Sequence, residues 1–216
     1  GLLSILTALL MSMIPIENDF LQTAIIAPMT EEIAKALLVV IFVAKYKPTN
    51  MLTGLLIGFS VGAGFSFLEN LHYAYALGVN SALEGDELLA FAAPAINIIV
   101  RTVGDFFMGH HYWAAIFGGV YVLFKSRPTF DFGDLFQAKV VLSLVYAMAL
   151  HAIWNGSGFI DVPFIPFLLK TVVCELSVAS LLVLINVGVA QTRIKDIWED
   201  YQSEHKDEAA THADAV

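Results

Sequence analysis

Cysteine is nearly absent: Cys174 stands alone among 216 residues, so no disulfide can form within the chain. Charge is scarce as well. Only 14% of the residues are Asp, Glu, Lys or Arg, against roughly 25% in soluble globular domains. Lys and Arg number 11 against 20 Asp and Glu, a net charge of −9, and no basic cluster suits a phosphate backbone, which argues against a nucleic-acid partner. Long apolar runs such as 36–44 and 172–190 lack the alternation of a half-buried strand, which excludes a transmembrane barrel. No internal repeat is present. What remains is apolar: 58% hydrophobic residues and a mean hydropathy of +0.74. Such a chain crosses a lipid bilayer as helices, because about 20 apolar residues span the hydrocarbon core with every backbone polar group satisfied internally.

The predicted fold is all-α, a polytopic transmembrane helical bundle of about six spans near 2–14, 20–44, 51–78, 95–124, 135–157 and 163–191. A short interfacial helix broken at Pro94 is expected before the fourth. Region 88–124 reads as two short spans or as one long one, and the Lys and Arg positions choose between them. One crossing puts Lys45, Lys47, Lys125, Arg127, Arg193 and Lys195 on one side, which is then cytoplasmic. The other side holds Glu17, Asp19, Glu84, Asp86, Glu87 and Asp161. The expected domains are a transmembrane unit, 1–192, and an acidic cytoplasmic tail, 193–216, too polar to build a core and expected to be disordered. The location is a cell membrane, spanned several times.

Ionisable side chains inside such spans cost about 2.5–3.5 kcal/mol each at mid-membrane, so function is the first reading of any that occur. Glu31, Glu32 and Lys35 fall on the second span, Glu69, Asn70 and His72 on the third, and Arg101, Asp105, His110 and His111 on the fourth. His151 and Asn155 fall on the fifth, and Lys170 and Glu175 on the sixth. Counted from the outer ends at 1.5 Å rise per residue, Glu31, Glu32, Glu69, His110 and His151 occupy overlapping layers roughly 9–22 Å deep. Unrelated structural polar groups would have no reason to share a depth. Carboxylates and imidazoles in a low-dielectric site suit hydrolysis. A Glu can act as general base, two His with one or two Glu can hold Zn²⁺, and the Asn155 amide can donate to an oxyanion. Blander pairings compete at i, i+4 spacing: Glu31 with Lys35, and Arg101 with Asp105. Arg101 also points away from His110 on an unbroken helix. Lys170 and Glu175 offer at most a mutual pair.

Glu31-Glu32-Ile33-Ala34-Lys35 reads as EExxK. Phe65-Ser66-Phe67-Leu68-Glu69-Asn70 with Tyr73, Gly109-His110 with Trp113 and Gly118, and His151-Ala152-Ile153-Trp154-Asn155-Gly156 follow in order. Together these resemble the four motifs of PrsW-family membrane peptidases, EExxK, FxxxEN, a His motif and HxxWN. Glu69 stands where the related CAAX prenyl endopeptidases and bacteriocin-processing proteases usually have His. The resemblance implies proteolysis within or beside the membrane. It also implies a membrane-anchored protein or peptide substrate, such as an anti-sigma factor cut on its outer side.

Two chemistries are open. In one, Zn²⁺ is held by Glu69, His110 and His151 while Glu31 or Glu32, with Glu32 preferred, acts as base. In the other no metal binds, a Glu activates the water, and His151 and Asn155 steady the oxyanion. A transporter or proton relay is the competing function, though the repeats common in transporters are missing. A di-iron site would need a second Glu-x-x-His besides Glu69–His72.

Overall fold

The structure is a computed structural model that describes residues 17–107, 109–127 and 129–213. All regular elements among these residues are helical, as expected. The span expected at 2–14 lies outside the described residues. Asn18 accepts a hydrogen bond from Leu21 N at 2.9 Å and opens the first described helix. Pro28 supplies no N–H to the ladder, and the turn before it, Leu21–Ile26, is wound in π register. Helix α1 (Ala27–Tyr46) continues from it and ends at Lys47, in left-handed conformation with φ 49°, just ahead of Pro48. Helix α2 (Met51–Leu83) is capped by the Asn50 side chain and followed by α3 (Glu87–Phe107), α4 (His110–Phe124), α5 (Ala138–Gly156) and α6 (Ile165–Ala213).

Four segments are long and apolar enough to cross a membrane: Met51–Leu83, Glu87–Phe124, Ala138–Phe159 and Ile165–Ser203. With α1, whose run is interrupted by Glu31, Glu32 and Lys35, these correspond to five of the six expected spans. Large apolar side chains such as Ile41, Leu56, Phe91, Leu142 and Phe167 face outward, which suits lipid rather than water. The molecule is therefore an integral membrane protein.

Two details of the fourth span differ from expectation. Pro94 lies inside α3 instead of separating an interfacial helix. The span is also broken once, at Gly109, whose φ of 135° favours glycine. Even so, α3 and α4 together run antiparallel to α2 and make one candidate span, Glu87–Phe124. Gly78 lies against Pro94, Asn70 against Arg101, Ser66 against Asp105, Gly62 against His110, and Gly58 against Ala114. At Gly62 a Cβ would collide with the His110 carbonyl, so only glycine lets α4 come this close. The core between α1, α2, α4 and α5 is built from Val39, Val43, Phe117, Tyr121 and Val140. A second cluster of Trp113, Leu150 and Val173 ties α4 and α5 to α6.

Candidate active site

The site starts with neighbours that face different ways. Successive residues on a helix point about 100° apart, so once packing buries Glu32, at 2% exposure, Glu31 turns to the edge of the bundle. Lys35, 1% exposed, donates Nζ to Glu32 Oε1 and to His110 Nδ1, each at 2.5 Å, and lies over the Phe65 ring. The buried ammonium thus pairs with Glu32, at i, i−3, and not with Glu31 as the i, i+4 spacing suggested.

Glu32 also accepts from His151 Nδ1 at 2.9 Å. A carboxylate on Nδ1 fixes the tautomer and leaves Nε2 as the free acceptor, the arrangement that orients metal-binding histidines. His151 Nε2 lies 4.0 Å from Glu31 Oε2 and 3.3 Å from Asn155 Nδ2, which also donates to the Thr23 carbonyl at 3.0 Å. Trp113 holds the ring in place: it stacks on His151 at 4.7 Å and donates Nε1 to Ser177. The His110 and His151 centroids are 4.9 Å apart, and Phe65 covers His110 from α2.

Glu69 comes from α2, on the far side of His110. Its Oε2 is 3.0 Å from His110 Nε2 and accepts from Arg101 at 2.7 Å. Arg101 also donates to Asn70 Oδ1 and lies over Tyr73, with 4.2 Å to the ring centroid. Asp105 accepts from Ser66 and Asn70. The expected Arg101–Asp105 pair is therefore wrong: both residues reach across to α2. The break at Gly109 is the reason, since it uncouples the rotation of α3 from that of α4 and lets Arg101 and His110 approach the same carboxylate. Arg101 and Asp105 are the site neighbours that sequence reasoning missed. The signal was there, in two more charges on a span that already carried His110. His72 and His111 stay outside the cluster, His72 beside Tyr73 and His111 against Phe59.

The structure thus brings together Glu31, Glu32, Glu69, His110, His151 and Asn155. Glu31, Glu69, His110, His151 and Asn155 line one cavity of about 560 Å³, whereas Glu32 lies behind His151 and is not in its wall. One ligand atom each from Glu31, His110 and His151 lie within 4.8 Å of one another. Glu31 Oε2 is buried with no hydrogen-bond partner. A buried carboxylate oxygen is costly to leave unmet, and two imidazoles plus a carboxylate are a donor set suited to a divalent ion. These residues fit a metal, with His110 giving up its hydrogen bond to Glu69 or to Lys35 to join Glu31 and His151. The trio differs from the expected set in having Glu31 where Glu69 was named.

A cavity walled by carboxylates and imidazoles within a transmembrane helical bundle is an arrangement that suits a membrane-embedded hydrolase. Residues 2–187 match the model of the PrsW family intramembrane metalloprotease, and the chain belongs to that family. It is accordingly a peptide hydrolase of the membrane, and membership decides against the transporter reading. No curated protein and no solved structure matches the chain.

Proposed function

We propose that the chain is an endopeptidase that cuts membrane-anchored proteins near the outer leaflet, with Glu31, His110 and His151 holding Zn²⁺. The observation that carries this is Glu31 Oε2, buried and without a hydrogen-bond partner in a cavity wall, 4.0 Å from His151 Nε2. Zn²⁺ supplies Lewis acidity, which polarises a carbonyl and makes water nucleophilic near neutral pH.

The chain's own groups do the rest. Glu69, in the same cavity, takes the proton of the attacking water and later gives it to the leaving amine. Arg101 holds the Glu69 carboxylate in place. Asn155 Nδ2 commits one hydrogen to Thr23, and the other turns from His151 to the scissile carbonyl oxygen. Glu32 orients His151 and carries no proton for the reaction. This reading moves the base from Glu32 to Glu69 because Glu32 is walled off from the cavity by the ring it holds.

The Lys and Arg asymmetry supports an outer-leaflet site and a cytoplasmic C-terminal tail. The composition shift after residue 192 supports a division into a peptidase domain, 1–192, and a tail, 193–216, although up to Ala213 the tail continues α6 as helix and is not the disordered segment expected. An anti-sigma factor with a single span is the first substrate to try. The test is cleavage of single-span substrates by the purified chain in proteoliposomes. Wild type cuts. Glu31→Gln, Glu69→Ala and His151→Ala do not, while remaining folded. Activity retained in the Glu69→Ala/His151→Ala double variant would end the assignment.

A further inference from the structure

The cavity wall holds two cations, and they are differently placed. Arg101 is engaged by Glu69 and Asn70. Lys170, on α6, has no carboxylate partner within 4.0 Å among the described residues, and Glu175 does not pair with it. Its Nζ lies over the Trp154 ring, 4.6 Å from the centroid, and it lines the same cavity as Glu31, Glu69 and His151. Lys170 lies five residues after the start of α6 and His151 five before the end of α5. Each is therefore about 8 Å along its helix, so Lys170 shares the layer of the reacting groups. Trp154 joins the two, one turn on from His151 on the same helix. An ammonium inside a membrane protein needs a counter-charge, an aromatic face or water. Here the protein supplies the face and leaves the counter-charge out.

We infer that Lys170, steadied by Trp154, is a specificity-determining residue that binds an acidic side chain of the substrate peptide close to the scissile bond. This rests on the proposed peptidase site. A peptide with its scissile carbonyl between Glu31 and His151 passes Lys170 within the same cavity. An Asp or Glu there forms a charge-assisted hydrogen bond away from bulk water. A neutral residue leaves the ammonium unmatched, and a Lys or Arg is repelled.

The experiment uses a randomised library of single-span peptides in phosphatidylcholine liposomes, cut by the purified full chain and read by mass spectrometry. Glu31→Gln serves as blank. Wild type enriches Asp and Glu over Asn and Gln at one position beside the cut, by about ten-fold or more. Lys170→Arg keeps that preference, Lys170→Met flattens it, and Lys170→Glu moves it to Lys and Arg. Each profile is a ratio within one variant, so partial loss of folded protein does not disturb it. If Lys170 only snorkels to the lipid headgroups, Lys170→Glu leaves the profile unchanged or slows all peptides equally, and either result overturns the inference while the peptidase site stands. No cutting by wild type above the Glu31→Gln blank removes the peptidase site itself, and the inference with it.

Discussion

Glu32→Gln separates orienting a ligand from carrying a proton. Glu32 Oε1 meets both Lys35 Nζ and His151 Nδ1, and the residue is 2% exposed. Gln keeps the shape and one acceptor but loses the charge, and its amide end cannot accept. Two effects follow. Lys35, 1% exposed, loses its counter-ion, and breaking a buried pair from one side costs about 3–5 kcal/mol. His151 also loses the carboxylate that fixes its tautomer, and such a loss costs about 10- to 100-fold in metal affinity or activity. Thermal unfolding in detergent and Zn²⁺ titration against a competing chelator read the two separately. Lys35→Met in the Glu32→Gln background removes the stranded ammonium and restores part of the stability, leaving Zn²⁺ affinity low. An orienting role for Glu32 is refuted if Glu32→Gln abolishes cleavage while binding Zn²⁺ as tightly as wild type, because Glu32 would then be the base.

Glu31→Gln and His151→Ala lower the Zn²⁺ content of the purified protein from about one per chain, measured by elemental analysis, whereas Glu69→Gln leaves the content unchanged and stops cleavage. Chelator inhibition of wild type is reversed by added Zn²⁺, and full activity in verified metal-free protein would rule out the metal. Arg101→Leu frees the Glu69 carboxylate and slows cleavage by about ten-fold or more, with Arg101→Lys falling between it and wild type. Gly62→Ala drives a methyl into the His110 carbonyl and lowers both the melting temperature and the Zn²⁺ affinity, whereas Gly64→Ala, with open space around it, lowers neither. Cysteines introduced at Thr49 and Ser126, which flank α2 and the region 87–124, label from the same side of the membrane, and labelling from opposite sides would refute a single pass over 87–124.

The sequence by itself determined that the chain is a helical membrane protein, because apolar runs long enough to cross a bilayer allow almost nothing else. It also narrowed which residues could meet: carboxylates and imidazoles on four spans share a layer, which the rise per residue gives. Depth, however, says nothing about rotation. Only packing decided that Glu32 points inward to Lys35 and His151 while Glu31, one residue earlier, faces the cavity with an unpartnered oxygen. Only the break at Gly109 and the close approach at Gly62 decided that Arg101 and His110 converge on Glu69. Lys170, which had no role along the sequence, gained one when α6 packed beside α5 and set its ammonium over Trp154 in the cavity wall. Rotation about a helix axis is fixed by contacts between residues far apart in the chain, and no local pattern carries it.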